Sequence, residues 1–303
     1  MMTDPGSCLV VVTGPTCIGK TRISIALAKT LPAEIISCDS RQFYRELAVG
    51  VARPSDEELA TVPHHMIGFL SVEEPYNVFR YECDALLVAE TLFLRYKYVL
   101  LTGGSGLFIR AVTRGMDRLP DPDPVIRKDL LEQHRSEGLE PLQRKLQALD
   151  PEYFRIVDRQ NPKRLLRALE VCLATGRPYS SFRTGCSRPR PFRVIKIGLT
   201  TDRQKLYSAI NDRVDRMIAS GLLDEVRSLR QYRHLNALNT VGYKELFDYL
   251  DGKIRFDSAV EKIKTHSRQY AKRQLTWLRK DREVSWFEPE QLDEMIAFVR
   301  LNS

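Results

Sequence analysis

Gly14-Pro15-Thr16-Cys17-Ile18-Gly19-Lys20-Thr21 follows the apolar run Cys8-Leu9-Val10-Val11-Val12 and precedes the helix-like segment from Arg22 to Lys29. Strand, glycine loop and helix in that order is the setting in which G-x-x-x-x-G-K-[ST] carries physical meaning. The two glycines let the backbone close around phosphate oxygens, so that several N–H groups can point at one anion. The helix start adds the positive end of its dipole. Lys20 supplies a mobile cation for the terminal phosphate, and the Thr21 hydroxyl suits a Mg²⁺ ion. Gly14, Pro15, Thr16, Cys17, Ile18, Gly19, Lys20 and Thr21 are thus read together as the holder of a di- or triphosphate. What is done to that group has to come from the rest of the chain.

At 303 residues the chain has length for one large domain or two, and its hydrophobic content is ordinary for a globular protein. It has neither an apolar run long enough to span a bilayer nor a signal-like start, so a soluble cytoplasmic protein without a membrane partner is expected. The six cysteines (Cys8, Cys17, Cys38, Cys83, Cys172, Cys186) form no C-x-x-C pair, which favours reduced, mostly buried thiols over a zinc site. The net charge of +8 is unevenly placed: residues 1–150 carry −3 and residues 151–303 carry +11. A basic half beside a near-neutral one points to a polyanionic partner, nucleic acid before membrane, although solvated helix faces are often cationic too.

Along the chain, Ala33 to Cys38 reads as a second strand ending in Asp39-Ser40-Arg41-Gln42. Ligands of open α/β sheets bind beyond the carboxyl ends of strands, which puts Asp39 on the rim of the phosphate loop. Equally, Asp39 or Ser40 could cap a helix over residues 41–47. His64 and His65 are adjacent and so point in different directions, which favours structural hydrogen bonds over metal binding. Residues 79–96 read as an amphipathic helix. A further strand, Tyr98 to Thr102, ends in Gly103-Gly104-Ser105-Gly106, where a phosphoryl-transfer enzyme would place a Mg²⁺-holding Asp. That substitution counts against a kinase.

Leu119-Pro120-Asp121-Pro122-Asp123-Pro124 is a proline-broken boundary, followed by helices over residues 125–137, 139–149 and 162–175. Ser187-Arg188-Pro189-Arg190-Pro191 closes this block, and Arg193 to Leu199 returns as a strand. The expected organisation is an α/β core, 1–119 with 192–303, carrying an inserted helical domain at 120–191. Residues 201–229 read as helical with a break at Gly221, and Arg213 among Asp212, Asp215 and Arg216 reads as a surface ion pair. Residues 260–280 form the most basic helix, on which Ile263, Tyr270 and Trp277 recur every seven residues and predict its buried side. Its cations suit phosphate-backbone contact.

Several stretches, taken in order, resemble one family, the bacterial type of tRNA dimethylallyltransferase (tRNA isopentenyltransferase). They are Gly14 to Thr21; Ile36-Ser37-Cys38-Asp39-Ser40-Arg41-Gln42 with Tyr44, Gly50 and Ala52-Arg53-Pro54; and Gly103 to Leu107. Then come Asn161-Pro162-Lys163-Arg164-Leu165-Leu166-Arg167-Ala168-Leu169-Glu170, Thr240 to Glu245, and Ala271-Lys272-Arg273-Gln274-Leu275-Thr276-Trp277. The resemblance spans nearly the whole chain. It implies a P-loop NTPase-like parallel sheet core whose loop holds dimethylallyl diphosphate rather than a nucleoside triphosphate.

It further implies transfer of a dimethylallyl group to N6 of adenosine 37, beside the anticodon of tRNA, by a cytoplasmic monomer using Mg²⁺. Asp39 matches the family's general base, a carboxylate able to take the proton of a weakly nucleophilic aryl amine. Lys20, Mg²⁺ near Thr21, and Arg213 are placed to neutralise the leaving diphosphate. Ser105 matches a position that usually holds Thr and touches the target nucleotide. The tRNA contacts carry over to Asp39, Ser40, Arg41, Gln42, Ser105, Arg127, Lys163, Arg164, Leu165, Leu166, Arg167, Asn239, Thr240, Val241, Gly242, Tyr243 and Lys244. The target base has to leave its stack to be modified.

The chain departs from the family pattern at Cys17 and Ile18, where small residues are usual, at Gly68, where Asp is usual, and at Ala209, where Arg is common. It also stops without the zinc-finger extension of some eukaryotic members. The competing readings are a small-molecule kinase, an adenylate isopentenyltransferase acting on free nucleotides, and a non-catalytic nucleic-acid-binding switch. The strand-end serine, the basic half and the job available for Asp39 count against them in turn.

Overall fold

The structure, a computed structural model, describes residues 6–121, 123–185 and 187–303. Pro122 of the proline-broken boundary and Cys186 lie outside the described residues. Two compact units emerge, one formed by residues 6–114 and 189–303 and the other by Gly115–Arg188.

In the larger unit the chain runs β1 (Cys8–Thr13), α1 (Lys20–Thr30), β2 (Ile35–Ser37), α2 (Asp56–Thr61), β3 (His64–His65), α3 (Val78–Phe93), β4 (Tyr98–Gly103) and α4 (Gly106–Arg114). The smaller unit carries α5 (Pro124–Glu137), α6 (Glu140–Leu149), α7 (Pro151–Ile156) and α8 (Pro162–Thr175). The larger unit then resumes with β5 (Arg193–Leu199), α9 (Arg203–Ala219), α10 (Leu222–Ser228), α11 (Tyr243–Leu250), α12 (Phe256–Leu278), β6 (Val284–Phe287) and α13 (Leu292–Asn302). Six strands pair in the order β3-β2-β4-β1-β5-β6, all parallel, so the core is the α/β arrangement expected from the sequence.

β1 lies at the centre, with Val10 opposite Leu100 of β4 and Ile195 of β5. Its unbroken apolar sequence follows from that place, because a central parallel strand is covered on both faces. Leu9 and Val11 enter one hydrophobic cluster, with Tyr81, Leu101 and Tyr243. Cys8, Val10 and Val12 enter the other, with Leu27, Ile197 and Ile210. The short edge strand β3 escaped the sequence reading because two residues leave no alternation to detect. There His64 Nδ1 pairs with Val62 O at 2.7 Å and His65 Nε2 with Glu34 Oε2 at 2.6 Å. Cys8 and Cys38 are fully buried, and burial pushes their thiols up to about 11 and about 12.

Two sequence expectations fail here. No helix forms over residues 41–47, and the Asp39 carboxylate instead accepts from the Arg41 N–H at 2.9 Å in a local turn. The Ile263–Tyr270–Trp277 seam is not the buried side of α12. Ile263 is buried, but Tyr270 and Trp277 remain 41% and 39% exposed. The stripe that packs inward is Ala259, Ile263, Ala271, Gln274 and Leu278. Tyr270 and Trp277 each lie one residue, about 100° of helix rotation, off that stripe and flank it.

The smaller unit has its own core, built from Leu130, Leu142, Leu146, Leu165 and Leu169. Its helix starts are read directly from local chemistry: Asp123 caps α5, Asn161 caps α8, and Gly176 ends α8 in the left-handed conformation. Asp150, with no exposed surface, caps α7 through the Tyr153 N–H and also accepts from the N–H and hydroxyl of Ser180. Asp150→Ala therefore strands three donors, and we expect a loss of about 2–4 kcal/mol in denaturant unfolding of this unit. A change below about 1 kcal/mol would mean that water replaces the carboxylate.

Candidate active site

The phosphate loop leaves β1 at Gly14, whose φ of +152° only glycine adopts readily and whose absent side chain avoids Leu199 O, 2.9 Å from an added Cβ. Cys17, one of the departures from the family pattern, takes a positive φ of 67°. Lys20 opens α1, and its Nζ donates to Gly14 O at 3.1 Å and Pro15 O at 2.8 Å. The loop crowds this ammonium out of water, and that burial lowers it from 10.5 to about 8. Asp39 pulls the other way and Arg213 adds to the depression. Arg213 is not a surface ion pair: from α9 its Nη1 donates to Thr16 Oγ1 at 3.0 Å and approaches Cys17 Sγ at 3.7 Å.

Asp39 lies two residues past the end of β2, where two long-range bonds and one local bond set the backbone. Cys38 N–H donates to Thr102 O at 2.6 Å, the Tyr81 hydroxyl to Ser37 O at 2.9 Å, and the Ser37 hydroxyl to Gln42 Oε1 at 3.0 Å. The Gln42 amide in turn donates to Val51 O and Ala52 O. Gly103 lets the ends of β2 and β4 close together, since a Cβ there would sit 2.2 Å from Cys38 O.

These elements open on one cavity of about 680 Å³. Thr16, Cys17, Asp39 and Arg213 line it beside Tyr270 and Arg273 of α12, and Ile210, Val214, Met217 and Ile263 give it an apolar wall. Desolvation, and after it the Asp39 carboxylate, holds the Tyr270 hydroxyl up at about 12. Ser40, Arg41, Asn239, Thr240, Val241, Gly242 and Lys244 also reach this cavity. Ser105 is outside its lining and sits just past β4, at the start of α4.

Other residues named from the sequence have internal partners. Tyr243 is fully buried and donates to Glu225 Oε1 at 2.6 Å. Leu165 and Leu166 belong to the core of the smaller unit. Arg127 and Arg167 both pair with Glu170, itself 1% exposed, and Arg167 also donates to Pro120 O. Lys163 and Arg164 are exposed at the start of α8.

Sequence reasoning missed the supports of the site. The Glu225 carboxylate accepts from the N–H groups of Ala48, Val49 and Gly50, which clamps the loop after Gln42 to α10. His266 Nδ1 meets Glu245 Oε1 at 2.5 Å on the cavity wall. Gln274 joins Thr16 N and Gly104 O. Only the side-chain types in an ordered motif could have signalled these partners. Gly68, the family's usual Asp position, lies against Arg53, whose Nε is buried without a partner.

The phosphate loop offers the hydroxyls of Thr16 and Thr21 but no carboxylate, and no group of three or more His, Cys, Asp or Glu side chains is placed to hold a metal among the described residues. That donor set suits a hard ion that keeps its waters and rides on substrate phosphates. No helix is long and apolar enough to cross a membrane among the described residues.

The IPP transferase family profile matches residues 42–281. The tRNA dimethylallyltransferase 1 of Bacteroides thetaiotaomicron is 49% identical over 295 residues, covering 97% of this chain and 96% of that protein. The full-length tRNA isopentenylpyrophosphate transferase of Bacillus halodurans superposes with a TM-score of 0.73 at 35% identity, over 98% of this chain and 96% of that one. A eukaryotic dimethylallyltransferase acting on tRNA shares the fold, with a TM-score of 0.79 at 24% identity, over 97% of this chain and 77% of that one. These matches show that the chain belongs to the IPP transferase family, whose named members here are tRNA dimethylallyltransferases.

Proposed function

We propose that this chain is a cytoplasmic monomer that transfers the dimethylallyl group of dimethylallyl diphosphate to N6 of adenosine 37 in tRNA, releasing diphosphate. The observation that carries the reading is the shared cavity: phosphate-loop residues Thr16 and Cys17, the cation Arg213 and the strand-end carboxylate Asp39 open on one space. A kinase reading lacks the carboxylate expected at the end of β4, where Gly103, Gly104 and Ser105 stand.

In the proposed reaction the adenine N6 lone pair attacks C1 of the dimethylallyl group as the C1–O bond breaks, and that electron pair leaves on the diphosphate. The N6 proton passes to the Asp39 carboxylate. Lys20, Arg213 and the loop amides stabilise charge as it gathers on the leaving oxygens. Mg²⁺ held through Thr21 would add neutralisation of the diphosphate when bound. The cavity's apolar wall of Ile210, Val214, Met217 and Ile263 offers a dry surface to the dimethylallyl chain. Ser40, Arg41, Asn239, Thr240, Val241, Gly242 and Lys244 face the incoming nucleotide. Gln42 and Tyr243 act behind them as supports.

The test is incubation with labelled dimethylallyl diphosphate and unmodified tRNA, with ATP and free AMP as comparison substrates. Label in tRNA alone supports the reading. Label in AMP would make the chain a free-nucleotide enzyme, and phosphate transfer from ATP would make it a kinase.

The smaller unit is assigned to the RNA through Lys163 and Arg164, the exposed cations at the start of α8. Replacing both with alanine should weaken tRNA binding uniformly across tRNA sequences. The slope of log affinity against log salt should become shallower by about 1–2. Unchanged affinity and slope would remove this unit from the interface. Arg167→Ala, by contrast, should act on stability, since it takes one of two cations from buried Glu170.

A further inference from the structure

Gln274 occupies a place that neither diphosphate binding nor proton transfer requires. Its side chain, on the inward stripe of α12, is 8% exposed. Oε1 accepts from the Thr16 N–H at 2.9 Å, and Nε2 donates to Gly104 O at 3.0 Å. Thr16 is the third residue of the phosphate loop, and Gly104 immediately precedes Ser105. β1 and β4 pair in register up to Thr13 opposite Gly103. The strand ladder ends there, and the Gln274 amide joins the two following loops as a rung made by a side chain.

The fit is close. A Cβ on Gly104 would lie 2.2 Å from Nε2, and one on Gly106 would lie 1.9 Å from the Trp277 ring of the same helix. One stretch of α12 therefore holds both the donor loop and the loop that carries Ser105.

We infer that Gln274 is a positioning residue that sets the distance between the donor carbon and the acceptor amine. The inference rests on the alkyl-transfer reading proposed above. Reacting atoms have to be held about 3–3.5 Å apart, and a misplacement of about 1 Å can cost about a hundredfold in rate. An amide is the group that fits, because it meets an N–H with an acceptor and a C=O with a donor. Methionine matches its length and offers neither. Glutamate keeps the acceptor but turns a carboxylate on the Gly104 carbonyl until it is protonated.

The experiment compares full-length wild type, Gln274→Met and Gln274→Glu. It measures single-turnover transfer from dimethylallyl diphosphate to unmodified tRNA, dissociation constants for inorganic diphosphate and for tRNA, and the thermal midpoint. Gln274→Met should lower the transfer rate about ten- to a hundredfold while both dissociation constants move less than about threefold. The rate of Gln274→Glu relative to wild type should rise from about pH 8 towards about pH 5, as the carboxyl regains a donor. A Met variant with the wild-type rate, or a Glu ratio flat with pH, would overturn the inference. So would a loss confined to binding and thermal midpoint. If wild type itself does not alkylate tRNA, the underlying reaction falls and takes this role with it. If wild type does and the Met variant matches it, only the positioning role falls.

Discussion

Asp39→Asn should cut single-turnover transfer by about 10²- to 10⁴-fold, the range that a positioned general base contributes. Asparagine keeps the side-chain oxygen that accepts from Arg41 N–H, so the turn after β2 should persist. Inorganic diphosphate should bind within a few-fold of wild type, because the loop amides, Lys20 and Arg213 are untouched. Rapid-quench measurement with saturating tRNA and dimethylallyl diphosphate is the check. Transfer at the wild-type rate would dismiss Asp39 as the base, and a proportional loss of diphosphate binding would make its role electrostatic.

The second large effect is expected at Lys20. Lys20→Met should weaken inorganic diphosphate binding by about 2–5 kcal/mol, roughly 30- to 5,000-fold, as for truncation of one partner of a desolvated charge pair. The pH dependence supplies a sharper signature. Burial holds the ammonium at about 8 in the free protein, and a bound anion raises it again. Above about pH 8 diphosphate binding therefore takes up a proton, and affinity falls by up to about tenfold per pH unit until the bound-state value is passed. Lys20→Met should show no such slope, whereas retention of the slope would assign it to another group. The stability of the protein without diphosphate moves in the opposite sense. Between about 8 and 10.5 the unfolded chain binds more protons than the folded one, so stability rises with pH across that window. Lys20→Met should flatten that rise.

The structure redistributes the basic groups that the sequence presented as one class. Lys264 pairs with Asp215 and Glu261, and Arg268 donates to Asn211 and Thr265, so these α12 cations have partners within the protein. Lys262 and Arg273 face the cavity. Lys196 is buried in β5 and held by Asp281 and Glu283, so it too serves the fold. Net charge identified a polyanionic partner, and tertiary contacts decide which cations remain for it.

What the sequence determined by itself was local. Glycine spacing between an apolar strand and a helix announces the phosphate loop. The unbroken β1 run announces a buried parallel sheet, and caps such as Asn161 and Gly176 mark helix ends nearly to the residue, because each signal spans only a few neighbours. It located Asp39 on the correct rim for the same reason, since a strand end is a local feature. Tertiary structure alone decided how the site is held. Glu225 gathers amides 175 to 177 residues away, and Gln274 reaches a loop 258 residues away. Such bonds carry no periodicity or spacing, because they are set where separate elements meet in three dimensions. The same holds for Tyr270 and Trp277, whose sevenfold recurrence suggested burial. Whether the flank of a helix meets core or cavity depends on what packs beside it, and here cavities lie there.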